Sequence, residues 1–308
     1  MVDKTESRFL LEEMIRLTAK TFMTHKKSES QDDCQDAWHQ NDQDGRIERY
    51  AVADGATRSF FPKEWADLLV EHFCEAPDPS PNVENWKTWL KPIQDKWHKK
   101  AVDKVKAHPI FFLVNSLNSK EPATSTFIGL EFDKVQGRWQ AMIVGDSCLF
   151  HIGSCGFRSY MIGKSADFTS RPEVLASYEK DNHSEPDFIH GDAEPGDTLI
   201  LATDALAKWI LEHEELGRRE KALNQFKLLQ TNDQFQKFVD CGRTNENLPL
   251  VNDDVALMMI LVESAEHVEA EEQQPVVRTP SGWELLAGLL GFVVGGLISL
   301  LIYWLTKD

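Results

Sequence analysis

No Cys-x-x-Cys pair occurs in this chain, and its five cysteines, Cys34, Cys74, Cys148, Cys155 and Cys241, are odd in number and scattered. That leaves no legible zinc site and argues for free thiols in a reducing compartment, not for a disulfide framework. Basic residues are also scarce: 33 lysines and arginines stand against 50 acids, for a net charge of −17. A general nucleic-acid binder needs a basic surface to meet phosphates, so that class is excluded. The opening MVDKTESRFLLEEMIRLTAK breaks its apolar positions with acids and bases, so no secretory signal core can be read there. There is no internal repeat, and no serine or cysteine nucleophile motif.

The rest has an ordinary globular composition, 42% hydrophobic and 27% charged over 308 residues. One run stands apart. Leu285 to Thr306, LLAGLLGFVVGGLISLLIYWLT, carries no charge, and about 20 apolar residues suffice to cross a bilayer as a helix. Trp283, Tyr303 and Trp304 near its ends suit the lipid interface. The run is apolar on all faces and follows an acidic, proline-bearing stretch, which favours a membrane span over a buried core helix. The expected organisation is a folded domain at 1–262, a flexible acidic linker at 263–282 and a transmembrane tail anchor at 283–306. The acidic domain and its unpaired cysteines are expected on the cytoplasmic side. Gly291 and Gly295 form a small-residue pair that admits a homodimer through the span.

Within the domain, a first strand is expected near Leu17–Thr24, then two strands joined by a turn at Asp44-Gly45. A calcium-loop reading of DQDGRI fails, because Gln40 and Ala51 would occupy its first and last ligand positions. Helical spacing covers Phe61–Phe73 and Val83–Lys106, the latter interrupted by Pro92. Ser125–Phe132, Trp139–Val144 and Cys148–Ile152 read as a meander, followed by Arg158–Ile162. A polar loop reaches to about Asp187. Then come strand Thr198–Thr203, helix Ala205–His213, one or two helices over Arg218–Val239, and a last strand Asp254–Val262. Strand and helix runs are segregated, so the class is α+β, with two packed antiparallel sheets flanked by helices.

Acids recur at the ends of these strands. VADGA ends on Asp54, VGDSCLF carries Asp146, LATDALAKW carries Asp204 ahead of a helix, and NDDVALMMI opens with Asp253 and Asp254. Carboxylates brought to one edge repel and raise each other's pKa unless cations neutralise them. An all-oxygen ligand set favours Mg²⁺ or Mn²⁺ over Zn²⁺.

Together, CQDAW, VADGA, STFIGL, VGDSCLF, LATDALAKW and NDDVALMMI resemble, in order and spacing, the motif series of the PPM family of metal-dependent (type 2C) serine/threonine protein phosphatases, in its bacterial form. The resemblance runs from about Leu17 to Val262. It implies an αββα four-layer sandwich and hydrolysis of phosphoserine and phosphothreonine in protein substrates, such as the targets of Ser/Thr kinases, by a water that two metals activate. It also implies roles. Asp54 matches the ligand that bridges two Mn²⁺ or Mg²⁺ ions, with the Gly55 carbonyl on the second. Asp204 and Asp253 match the remaining carboxylates of the first, and Asp36 an acid acting on the second. Asp146 matches the acid that helps hold a third ion. Ala56 and Ala205 depart from the family pattern, which has histidine and glycine there in many members. The phosphate-binding arginine has no clear counterpart; His25, Lys26 and Lys27 are the nearest candidates, with a solvated basic turn as the alternative. A catalytically inactive scaffold of the same fold that binds phosphoproteins is the competing reading. An acidic metal-binding domain without phosphate chemistry is a third.

Overall fold

The computed structural model describes residues 15–41, 45–75, 80–154 and 156–264. Among them no helix is long and apolar enough to cross a membrane; the expected span at 283–306 and its linker beyond 264 lie outside the described residues, as does Asp44 of the expected turn.

Two antiparallel sheets form the centre. One has the order β1 (Ile15–Thr24), β11 (Val255–Ser264), β10 (Thr198–Ala202), β6 (Cys148–Gly153), β7 (Gly156–Tyr160). The other has the order β2 (Asp36–Asn41), β3 (Ile47–Gly55), β4 (Thr124–Asp133), β5 (Arg138–Val144), β9 (Asp187–Asp192), with the two-residue β8 (Leu175–Ala176) also paired to β4. The period of two along each strand decides which layer each side chain joins. On β11, Ala256, Met258, Ile260 and Val262 enter the core between the sheets, while Val255, Leu257 and Met259 pack under helices. On β3, Tyr50 and Val52 face the other sheet, and Ala51 and Ala53 face helices. These strands are buried on both faces, which is why β11 reads in sequence as one continuous apolar run.

Helices cover both outer faces. α1 (Pro62–Glu75) and α2 (Trp86–Ala107) lie on the β3–β4 side, where Trp65, Leu69, Phe73, Trp89, Ile93 and Trp97 form the apolar layer. Pro62 opens α1, a position where a missing N–H costs nothing. α4 (Asp204–Glu215), α5 (Arg219–Leu228) and α6 (Asn232–Arg243) cover the β10–β11 side through Leu206, Ile210, Phe226 and Phe235. The four layers are thus helix, sheet, sheet, helix, as expected. α3 (Phe111–Asn118) and β9 are additions that periodicity did not announce.

One expectation is corrected. β4, β5 and β6 do not form a meander: β5 and β6 belong to different sheets. The chain crosses between them over Gly145–Ser147. Gly145 makes the crossing with φ +95°, and a Cβ there would lie 2.6 Å from the Glu173 carbonyl oxygen. Both the left-handed backbone and the close approach require glycine. Gly145→Ala is expected to lower the unfolding free energy by about 2 kcal/mol or more, from left-handed strain plus the backbone clash. A urea titration followed by circular dichroism measures it; an unchanged midpoint would show that the crossing tolerates a side chain.

Candidate active site

The apolar core between the sheets ends in carboxylates. Asp36, the first residue of β2, is paired directly with Asp54 on β3, and Asp54 with Thr126 on β4. Directly opposed residues of an antiparallel pair share a face, and Asp54 continues the alternation of Tyr50 and Val52 into the space between the sheets. Asp254 stands in the same register ahead of Ala256 on β11, and Asp204 starts α4 immediately after β10. Asp146 sits on the three-residue crossing between sheets and is buried.

These groups act on one another. The Asp36 carboxyl is driven well above the carboxylate range, first by burial and then by Asp54, Asp254 and Asp204. Asp54 is raised in the same way by burial and by Asp204, Asp253 and Asp146, with Lys26 opposing. Burial, Asp146 and Asp253 push Asp204 up to about 7, even though a helix N-terminus favours a negative charge. Burial, chiefly, takes Asp146 to about 6. The cation against this cluster is Lys26, whose Nζ lies 2.9 Å from Asp253 Oδ1 and 3.8 Å from Asp254 Oδ2 and donates to Thr57 Oγ1 at 2.8 Å.

Three residues to which sequence reasoning gave no role hold the arrangement. Thr203, fully buried, donates from Oγ1 to Asp36 Oδ2 at 3.0 Å and accepts from the Ala256 N–H at 2.9 Å. Asp254 is spent on backbone: its two oxygens accept from the N–H groups of Lys26 and Gln35, both at 2.9 Å. Arg243 of α6 donates through Nη2 to the carbonyls of His25 (3.0 Å) and Asp253 (2.6 Å). Thr203 could have been found as the helix-capping residue type ahead of an acidic first turn, while Asp254 was visible as half of a double acid but not as a brace. Arg243 carried no sequence signal.

Of the three basic candidates, Lys26 alone brings its ammonium to the carboxylates. The His25 ring contacts the Lys26 carbonyl, and Lys27 is exposed with its N–H on Asn252. Gly55 is confined by backbone: a Cβ there would lie 2.8 Å from the Gln35 oxygen and 3.0 Å from the Pro62 carbonyl carbon. The Ala56 N–H is tied to the Thr124 carbonyl at 2.9 Å, and the Ala205 N–H bonds Asp204. The thiols nearby, Cys34 and Cys148, are raised by burial, Cys148 to about 12, so neither is a nucleophile near neutrality.

Do these residues suit divalent ions? As they stand, no three acidic, histidine or cysteine side chains among the described residues close tightly enough to enclose one; Asp253 is engaged by Lys26 and Asp204 by a backbone N–H. Yet Asp36 Oδ1 and Asp146 Oδ1 are buried without a hydrogen-bond partner among the described residues. Orphaned carboxylate oxygens in a crowd of like charge are what a hard cation would satisfy. The donor set fits Mg²⁺ or Mn²⁺.

A stability prediction follows from the raised pKa values. The folded domain holds protons on Asp36, Asp54, Asp146 and Asp204 that the unfolded chain, with carboxyl pKa values of about 4, has released. The cluster's penalty is therefore absent below pH about 4, grows as pH rises through about 6 and about 7, where Asp146 and Asp204 ionise, and grows further as Asp36 and Asp54, held well above the carboxylate range, follow. Without metal, the domain should lose thermal stability over that window, and Mn²⁺ should restore more of it at pH 7.5 than at pH 5.5. Melting curves with and without chelator test this; equal metal stabilisation at both pH values would contradict the cluster as the binding site.

Comparison with known proteins agrees with the geometry. A family model described as protein phosphatase 2C matches residues 25–248. No curated protein matches the chain. Among solved structures, the serine/threonine phosphatase of S. agalactiae is 13% identical with a TM-score of 0.52, covering 80% of this chain and 100% of its own. The catalytic domain of the serine/threonine phosphatase PstP, in complex with two manganese ions, is 13% identical at a TM-score of 0.51, covering 81% and 99%. A bacterial serine phosphatase bearing an arginine-to-glutamate mutation is 16% identical at 0.55, covering 80% and 99%. At such identities the structures speak for the fold alone, but the family model covers well over half of the chain, Asp36, Asp54, Asp146 and Asp204 included, and on that ground the chain belongs to the protein phosphatase 2C family.

Proposed function

We infer that this chain is a metal-dependent phosphoprotein phosphatase acting on phosphoserine and phosphothreonine, tethered to a membrane by residues 283–306. The observation that carries the catalytic half is the convergence of Asp36, Asp54, Asp146, Asp204 and Asp253 on the end of the inter-sheet space, with orphaned oxygens on two of them. In this reading Asp54 and the Gly55 carbonyl, with Asp204, Asp253 and Asp36, hold two Mn²⁺ or Mg²⁺ ions, and Asp146 helps hold a third. Bound there, such ions supply an activated water and offset negative charge on the phosphoryl group. The chain's own residues do the rest. Thr203 fixes one oxygen of Asp36 and leaves the other free. Asp254 and Arg243 fix the backbone that carries Lys26 and Asp253. Lys26 stands where a phosphate oxygen would meet a cation, in place of the family's arginine. Nothing in the site requires a covalent intermediate on the protein.

One observation favours the inactive-scaffold reading: Lys26 already neutralises Asp253, a ligand position. Turnover separates the two. Residues 1–265 with Mn²⁺ should hydrolyse p-nitrophenyl phosphate and a phosphothreonine peptide. Asp54→Asn should lower the rate by about a hundredfold or more, the size expected for loss of a group that stabilises the transition state. Asp204→Ala and Asp253→Ala should abolish turnover and weaken metal binding. Asp146→Ala should leave two ions bound, by calorimetric titration, and slow turnover roughly tenfold. Activity that survives exhaustive chelation or Asp54→Asn would reject the mechanism, and an inert wild-type domain would favour the scaffold.

The tether rests on the uncharged run at 285–306, and the cytoplasmic side on the acidic domain and its free thiols. Protease added to right-side-out vesicles should spare the domain; its digestion there would place it outside.

A further inference from the structure

The chain carries a net charge of −17, yet one helix is strongly basic. Over Trp86–Ala107, α2 holds seven lysines against two aspartates. Lys91 pairs with Asp95, and Lys104 with Glu64. Lys96, Lys99, Lys100 and Lys106 are exposed, and no ion pair engages them among the described residues. Two residues past this helix and its cap, Ile110, Phe111 and Phe112 are 62%, 80% and 66% exposed. α3 itself is seated: Leu113, Val114 and Leu117 pack on the helical core and Ser116 is buried. The two phenylalanines stand out from an anchored helix. Side chains of this size are ordinarily buried, and a contiguous exposed group of them marks an interaction site.

We propose that the C-terminal half of α2 and the start of α3 form a docking surface for an anionic lipid bilayer. The lysines meet the headgroups, and Ile110, Phe111 and Phe112 enter the interfacial layer. Cations beside an apolar wedge are the chemistry of interfacial attachment. An acidic protein would match the lysines but would need a pocket for each of three protruding apolar side chains; a bilayer accommodates both without one. The charge of the rest of the domain repels an anionic surface, so this face is the one steered toward it. The surface adjoins the site. Lys104 Nζ lies 5.3 Å from the Phe61 ring centroid, and the segment after α3 is hydrogen-bonded to the loop after Gly55, Phe60 N–H to the Pro122 carbonyl and Ala56 N–H to the Thr124 carbonyl. Docking would therefore bring the mouth of the site beside the membrane. The surface lies wholly within residues 86–112, so it does not depend on the tether at 283–306.

The described residues up to 264 fall within one compact unit that contains the three apolar cores found among them, so residues 1–265 can be tested without the tether. Sedimentation with vesicles of phosphatidylcholine alone, and of phosphatidylcholine with phosphatidylserine, is the measurement. Binding is expected only to the anionic vesicles, and it should fall as salt is raised. K99E/K106E should weaken partitioning by at least about 25-fold, at about fivefold for each lysine lost before the added repulsion of the glutamates. F111S/F112S should weaken it by about tenfold or more. Both variants should keep wild-type melting curves and wild-type rates on p-nitrophenyl phosphate. Equal binding to neutral vesicles, no binding to anionic vesicles at low salt, or unchanged partitioning in both variants would overturn the proposal. So would capture of a phosphorylated protein that the two variants abolish, with no vesicle binding, since the face would then serve protein docking. Anionic binding without phosphatase turnover would defeat the enzymatic reading and leave this one standing.

Discussion

Like charge crowded into a place from which water is largely removed is the constraint on which this molecule turns. Six acids, counting Asp254, reach the end of the space between two sheets, and Lys26 is the cation set against them. Left alone, such a cluster takes up protons, as the raised carboxyls of Asp36, Asp54, Asp146 and Asp204 show. Divalent cations would offset that cost, by giving each displaced carboxylate a stronger partner than water and turning a destabilising cluster into a binding site.

The sandwich is what makes the crowding achievable. Its two sheets are held apart by a dry layer of Val52, Ile128, Leu130, Leu199, Leu201, Met258 and Ile260. At one end that layer gives way to polar groups, and there the strands of one sheet face those of the other. Thr203 joins the sheets across this gap, taking a hydrogen bond from β11 and giving one to Asp36 on β2. Asp254 does the same work through backbone, linking the start of β11 to the turns that carry Lys26 and Gln35. Strand ends therefore place Asp36 and Asp54, a helix start places Asp204, and the crossing between sheets places Asp146, while loops carry Lys26 and Thr57 to the rim.

Much of this was legible in the chain. The α+β class with two sheets flanked by helices followed from segregated strand and helix runs, and Asp54, Asp146, Asp204, Asp253 and Asp254 stood out because each ended or began an apolar segment; the αββα layering and Asp36 came only with the family resemblance. The readings that failed or were absent share a cause. The meander over β4, β5 and β6 failed because Gly145–Ser147 looks like any tight turn; only the layer each strand joins shows that it is a crossing. α3 was missed because its eight residues are too few for a periodic signal. Lys26 could not be told from His25 and Lys27, since three adjacent basic residues differ only in where the backbone aims them.

By itself, then, the sequence determined most of the strands and helices and the acids at their ends, because periodicity and residue chemistry are local properties written along the chain. Tertiary structure alone decided that Asp36 and Asp54 are cross-strand partners, that Asp254 braces backbone while Asp253 meets Lys26, and that Arg243 supports both segments from α6. Those relations join residues up to 228 positions apart, as between Lys26 and Asp254. Nothing in either segment specifies the other. Burial of the two sheets against each other does, because a period-two strand whose apolar face must be dry has one register in which its terminal acid reaches the edge.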